Sequence, residues 1–370
     1  MYSEEQLYSI ALRECKYIGD INFYKLVRSF GSAKKVWETP IHILSKTDGL
    51  GKITVADIGN SDHLKFAEKE LIFCEKNKIT INLRHQNQLP HHLKECEDAP
   101  AILYQKGNYN PNLKPVSIVG TRNMTSYGKK FIEDFFEEFK EHSFISVSGL
   151  ALGVDKEVHE QSLKHNIPTL AVLAHGFQTL YPAKNKSLSE RIISENGSLL
   201  TEFNSSKKPD RENFIQRNRI VAGISQSTIV VETAFGGGSI STATFANNYN
   251  RDVFALPGKI FDKYSQGCNH LIFQNKASSI STIKDLQDLL GFLQPSEKIG
   301  EFFPECKIEV ELSENQQLLY KSIKENPHIT LDDLVERISL PSQKILPVIL
   351  ELELLGKVKS FSGRQFVSIV

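Results

Sequence analysis

The sequence predicts an α/β protein: a doubly wound, mostly parallel sheet, with a small helical domain before it and a winged-helix domain after it. Three observations carry this. Six short apolar runs alternate with helical stretches between residues 116 and 255, the pattern of repeated βαβ units. Residues 1 to 80 show helical spacing with no strand pattern, and residues 311 to 370 give three helical segments followed by a hairpin. The expected division is a helical domain over 1–80, an extended sheet domain over 81–290, a linker over 291–310 and a winged helix over 311–370. A chain of 370 residues is long enough for each part to bury its own core.

Composition narrows the function classes. Lys plus Arg equals Asp plus Glu at 44 each, so any affinity for nucleic acid must come from local clustering of charge. The five cysteines, Cys15, Cys74, Cys96, Cys268 and Cys306, form no C-x-x-C pair and match no histidine spacing. That argues against zinc and against a disulfide framework, and favours a reducing compartment. No apolar run reaches the roughly 18–20 residues that span a bilayer, and the start, MYSEEQLYSI, has no signal-peptide core. A cytoplasmic protein without membrane contact is expected.

In chain order, the N-terminal part places apolar residues at Leu7, Ile10, Ala11 and Leu12 and turns at Ile18-Gly19-Asp20 and Phe30-Gly31-Ser32. It resembles helical-hairpin or sterile-alpha-motif-like units, and two readings stay open: a packing module, or a contact to DNA backbone or protein. From 81 to 115, Pro90, Pro100, Pro111 and Pro115 break the chain into strand and loop, an extended lead-in.

Strands are then expected at Val116–Val119, Phe144–Val147, Thr169–Ala174, Ser198–Thr201, Thr228–Val231 and Asp252–Ala255. Ligands of doubly wound sheets bind at the carboxyl ends of the strands, so the residues that follow each strand matter most. Gly120-Thr121-Arg122 is a strand-to-helix turn, with its helix starting near Ser126, that sets a guanidinium beside free helix N–H groups. Gly149 to Asp155, with Gly153, is a second turn of this kind. Neither fits G-x-G-x-x-G, so there is no case for a dinucleotide and no cofactor is expected.

The segment from Asn213 to Ala243 joins a basic cluster, a buried strand and a glycine turn. Gly236, Gly237 and Gly238 precede Ser239, Ser241 and Thr242, which open a helix whose unpaired N–H groups suit an anion. No Lys-Ser or Lys-Thr follows, which excludes a Walker A loop. Upstream, residues 204 to 219 carry Lys207, Lys208, Arg211, Arg217 and Arg219 against Asp210 and Glu212, a net of +3, bracketed by Phe203 and Phe214 with Asn218 between the last two arginines. Guanidinium forks match phosphate oxygens. The plainer alternatives are a turn that lets a connection pass close to its neighbour, and a solvated basic face.

Tyr181-Pro182-Ala183-Lys184-Asn185-Lys186 reads either as a stacking and phosphate contact or as an ordinary proline turn. Catalytic arrangements are scarce. His159, His165 and His175 have no partner at a motif spacing, and Asp155 with Glu232 could form an acid–base pair only if the fold unites them. In the tail, residues 301–370 hold eleven acidic and eight basic residues, and the third helix has only Lys344 near its start. Groove-reading helices need more positive charge, so a protein contact is favoured there over DNA.

Taken together, Val119-Gly120-Thr121-Arg122, Ser148-Gly149-Leu150-Ala151-Leu152-Gly153-Val154-Asp155, Tyr181-Pro182 with Asn185, Asn213-Phe214 with Arg217-Asn218-Arg219-Ile220, Gly238-Ser239 with Thr242-Ala243, Leu256-Pro257-Gly258 and Gly267-Cys268-Asn269-His270-Leu271-Ile272 make the chain resemble the DNA-processing protein A family, DprA or Smf. It departs from the family pattern in having Thr121 for a Ser, Leu152 for an Arg and Gly237-Gly238-Ser239 for Ser-Gly-Ser. The resemblance implies a Rossmann-like core that dimerises, binds and protects incoming single-stranded DNA, and helps load a RecA-type recombinase in natural transformation, without catalysing a reaction. The groove would then comprise Arg122, the 149–155 turn, Lys184, Arg217, Arg219 and the 236–239 turn, with Tyr181 and Phe214 as stacking platforms. The rival class is a nucleoside-monophosphate hydrolase of related fold. Its Pro-Gly-Gly-x-Gly-Thr-x-x-Glu signature is incomplete here, where the run from Phe235 to Thr244 lacks the proline and the final carboxylate.

Overall fold

The computed structural model describes residues 2–292, 312–326, 328–361 and 365–369. Two compact units divide the chain, Met1–Gln294 and Pro295–Val370. The first holds a nine-stranded sheet: β1 Ile79–Leu83, β2 Ile102–Gly107, β3 Lys114–Val119, β4 Phe144–Ser148, β5 Thr169–Val172, β6 Ser198–Thr201, β7 Ser227–Val230, β8 Asp252–Ala255 and β9 Ser278–Ser279. The order is β1-β2-β6-β5-β4-β3-β7-β8-β9, parallel throughout except where β2 pairs β1 and β6. All six strands expected from the sequence are present, with ends shifted by at most two residues.

Helices cross over between the parallel strands, the first being Ser126–Phe139 between β3 and β4. In β3 the side chains alternate by the period of two that a strand imposes. Val116 and Ile118 pack with Phe131, Phe135, Phe136 and Phe139 on one face, while Val119 joins Val147, Leu170, Val172 and Val221 on the other. Ser117 reaches that second face as well, and its Oγ donates to the Val221 carbonyl at 2.6 Å. The helix Ser126–Phe139 buries phenylalanines spaced three and four apart, and the Phe135 and Phe139 rings stack with centroids 4.3 Å apart. Each such ring contributes about 2–3 kcal/mol by burial.

The lead-in over 81–115 is more ordered than the sequence suggested. β1 and β2 form an antiparallel pair that extends the sheet, and the short helix His91–Glu95 lies between them. The alternation Ile79, Ile81, Leu83 inward and Thr80, Asn82 outward places the inward set in one core with the N-terminal helices, among them Leu12, Phe23 and Leu26. The helical N-terminus therefore shares its core with the sheet edge.

The second unit has helices Glu314–Glu325, Leu331–Ile338 and Ser342–Leu354 and strands Ile329–Thr330, Val358–Phe361 and Gln365–Ser368, in the winged-helix order expected. The Ser-Gly turn of its hairpin and most of the expected 291–310 linker lie outside the described residues. Among the described residues no helix is long and apolar enough to cross a membrane.

His159, on the helix Val154–Lys164, is fully buried with Nδ1 at 2.7 Å from Thr169 Oγ1. Burial, helped by the nearby Arg217 charge, pushes its pKa down to about 3. The unfolded imidazole takes up a proton as pH falls through about 6.5 and the folded one does not, so this group costs stability on acidification. From about pH 7 to about pH 5 it should remove about 2 kcal/mol, a loss that His159→Gln abolishes and that urea unfolding at the two pH values would read. Equal acid sensitivity of the two proteins would refute the assignment.

Candidate nucleic-acid interface

The strand order reverses at β3: β4, β5 and β6 run off to one side, β7 and β8 to the other. A crevice forms at such a switch point because the crossovers after β3 and β7 leave on opposite faces. Here it is a cleft of about 880 Å³, walled by Gly120, Thr121 and Arg122 after β3 and by Gly236, Gly237, Gly238 and Ser239 after β7. Ala151, Asp155, Tyr181, Arg211, Phe214, Arg217 and Asn218 are among the other residues that line it.

Glycines allow these turns to touch. A Cβ on Gly153, whose φ is +75°, would lie 2.3 Å from the Thr121 carbonyl oxygen, and Val154 N–H donates to that oxygen at 3.1 Å. The turn carrying Arg122 thus rests directly on the second turn. Leu150 there has a φ of 55°, costly for a side chain of its size, and Asn185 Nδ2 donates to its carbonyl at 2.9 Å. Asn185 is buried, so its role is to hold this turn.

At the third turn the helix Gly238–Asn248 begins at Gly237 with no side-chain cap. Its first N–H groups therefore meet the cleft, and the helix dipole adds partial positive charge there. Ser239 Oγ is buried at this point without a hydrogen-bond partner. Asn218 Nδ2 fixes the turn by donating to Ser241 Oγ at 2.8 Å and to the Gly238 carbonyl at 3.3 Å.

Arg217, on the helix Arg211–Ile224, is buried under the cleft and donates from Nη1 to the Val172 carbonyl at 3.0 Å. Burial pulls its pKa down and the nearby Asp155 carboxylate opposes this, while burial raises Asp155 against the pull of Arg217. Phe214 stands above, with the Arg122 guanidinium 5.1 Å and that of Arg217 6.0 Å from its ring centroid, and Tyr181 meets it edge-on at 5.7 Å. Tyr181 is 45% exposed, so a flat face remains available. A cation over an aromatic ring, beside open helix N–H groups, can hold a phosphate and a base at once.

Gly149 lies against the Arg217 guanidinium, and a Cβ there would fall 1.4 Å from Nη1. Because that guanidinium is buried and bonded, Gly149→Ala should destabilise the protein by about 1–3 kcal/mol through overpacking and disturb the cleft floor. Thermal unfolding would read it, and an unchanged Tm would contradict it.

Of the residues expected to line the groove, Gly149, Gly153, Lys184, Asn185 and Arg219 are not part of the cleft wall, the two glycines and Asn185 lying beneath it as supports. Arg219 does not face the cleft: its Nη2 pairs with Glu202 and, at 3.1 Å, with Asp20, and its Nη1 donates to the Asp98 carbonyl, all in a buried network. Two residues along a helix turn the side chain by about 200°, so Arg217 and Arg219 point to opposite sides. Lys184 is exposed on the 3-10 turn Ala183–Asn185 and is not part of the cleft wall. Arg211 does line the cleft, and its place in the basic loop was the sequence signal for it.

The acid–base pair does not form either. Glu232 accepts from Thr125 N–H at 2.8 Å and from the Thr125 hydroxyl, tying down the start of the helix Ser126–Phe139, whereas Asp155 accepts from Ala151 N–H at 3.4 Å on the cleft floor. His175 is spent on its own loop, with Nδ1 on the Gly176 carbonyl at 2.9 Å and Nε2 accepting from Tyr181 N–H at 3.1 Å.

Comparison with known proteins places the fold in a family. The family described as DNA recombination-mediator protein A matches residues 80–291, and the DprA winged helix domain matches 308–364. Protein Smf of Synechocystis sp. is 33% identical over 79% of this chain and 74% of its own length. The crystal structure of DNA processing protein A from Streptococcus pneumoniae superposes with a TM-score of 0.64 at 26% identity, covering 78% of this chain and 98% of that one. A structure of the Helicobacter pylori protein, described by its single-stranded DNA binding mode, gives 0.52 at 27% identity over 58% of this chain and 95% of that one. With its sheet domain and winged helix both matched, the chain belongs to the DprA/Smf family of DNA-processing proteins.

Proposed function

We propose that the cleft binds single-stranded DNA, tracking its backbone with Arg122 and the uncapped start of the helix Gly238–Asn248 while Phe214 and Tyr181 take bases. The observation that carries this is the convergence of an exposed guanidinium, open helix N–H groups and a partly exposed aromatic pair on one cleft. The single-stranded DNA binding named for the Helicobacter pylori relative supports the reading. Arg217 sets the charge of the floor, and Asn185, Asn218, Gly149 and Gly153 shape it.

On this reading the protein is a non-catalytic mediator in the cytoplasm. It shields incoming single strands and, as a homodimer, helps load a RecA-type recombinase in transformation or recombination, with the winged helix as a further protein contact. Against the hydrolase alternative stands Glu232, whose carboxylate is committed to Thr125, which leaves that reading Asp155 alone on the cleft. The test is anisotropy of a labelled oligonucleotide, single-stranded against duplex, at two salt concentrations. Salt-sensitive preference for the single strand is expected. No binding at low salt, together with turnover of nucleoside monophosphates, would reverse the assignment.

A further inference from the structure

The connection from β8 to the helix Gln266–Phe273 reads Lys259-Ile260-Phe261-Asp262-Lys263-Tyr264. Ile260 is 70% and Phe261 88% exposed, so two large apolar side chains stand in solvent. The loop is nonetheless firmly held. Thr233 N–H donates to the Tyr264 carbonyl at 2.7 Å, Gly267 N–H to the Thr233 carbonyl at 2.9 Å, and Asn269 bonds both the N–H and the carbonyl of Gly258. Lys259 and Lys263 are exposed on either side of Phe261, and neither is ion-paired among the described residues. Asp262 between them shapes the turn, its N–H donating to the Lys259 carbonyl at 3.0 Å.

This loop adjoins the cleft. Thr233, on which it is anchored, lines the cleft together with Ala234 and Gly236. Between the last two, Phe235 is 68% exposed, with its ring 4.8 Å from His270 on the helix the loop leads into. Phe235 and His270 thus set two rings side by side at the rim, His270 on the helix into which the loop leads.

We infer that the 259–264 loop is a second binding segment for single-stranded DNA, taking the strand as it leaves the cleft past Phe235, with a base stacked on Phe261 and phosphates on Lys259 and Lys263. This rests on the cleft reading above. Alternating lysines and aromatics suit a strand whose bases and phosphates alternate, whereas lysines are depleted from protein–protein contacts. A loop already fixed by its backbone bonds loses little freedom on binding.

The full-length protein is titrated with two labelled oligonucleotides, one of about six nucleotides that fits the cleft and one of about twenty that reaches beyond it. The longer should bind more tightly to the wild type. Phe261→Ala, which removes only an exposed ring, should weaken the longer by about 10-fold and leave the shorter unchanged. Lys259→Ala with Lys263→Ala, which removes two phosphate contacts, should lower the salt slope for the longer alone by about 1.4. If Phe261→Ala binds the longer like wild type, or instead changes the sedimentation mass, the loop is not a DNA segment and in the second case is a protein interface. If the wild type binds neither oligonucleotide, the cleft reading itself fails and this one with it.

Discussion

Replacing Arg219 with alanine destabilises the first unit by about 3–5 kcal/mol and leaves the DNA affinity of the folded protein unchanged. The reason is what the guanidinium leaves behind. The Glu202 carboxylate is almost fully buried and that of Asp20 largely so, and Glu202 would keep only Gln216 Nε2, at 2.9 Å, as a donor. Burial works against ionisation of both partners, raising Glu202 and opposing the charge on Arg219, while the Arg219 charge favours the carboxylate and Glu202 with Asp20 favour the guanidinium, so the network is complete only together. Asp20 also accepts from Arg13 Nε at 3.0 Å and from Ala101 N–H at 3.0 Å, so the network ties the N-terminal helices to the helix Arg211–Ile224 and to the stretch before β2. Arg219→Lys should recover part of the loss, since an ammonium cannot reproduce the fork. Urea unfolding of the variants is the measurement. A change under about 0.5 kcal/mol for the alanine variant would show that the network contributes nothing.

Arg122→Ala has the opposite profile: a fold as stable as wild type and a Kd for single strands raised about 10- to 150-fold. Arg122 is exposed, makes no ion pair among the described residues and is held only by its place over Phe214. A charge-assisted bond to phosphate is worth about 1.5–3 kcal/mol, which is that range in affinity. Losing one phosphate contact should also lower the salt slope by about 0.7. Titration at three salt concentrations reads both numbers. If affinity and slope stay at wild-type values, Arg122 is not a phosphate ligand.

The contrast between these arginines shows what a sequence carries. Turns are local, so Gly120-Thr121-Arg122 after β3 and Gly236-Gly237-Gly238 after β7 could be placed at strand ends from residue pattern alone, and the switch-point rule then joins them. The β3 strand was legible because Val116 and Ile118 repeat with period two beside a helix that repeats Phe131, Phe135 and Phe139. Arg219 was misplaced because its partners, Asp20 and Glu202, lie 199 and 17 residues away and on the far side of its helix. The Tyr181–Lys186 pattern suggests Asn185 as a ligand although it is a support, since nothing local reveals that the Leu150 and Ala151 carbonyls come to it. β1 and β2 are hidden in an apparent lead-in because prolines interrupt the stretch, even though Ile79, Ile81 and Leu83 already alternate.

In the proposed complex single-stranded DNA lies between Arg122, Phe214 and the start of the helix Gly238–Asn248. Photo-cross-linking of a bromodeoxyuridine oligonucleotide, followed by peptide mapping, reads that placement. Cross-links to peptides containing Tyr181 and Phe214, lost in competition with unlabelled single strands, are the expected result. Cross-links confined to residues 312–369, with none in the sheet unit, would contradict it.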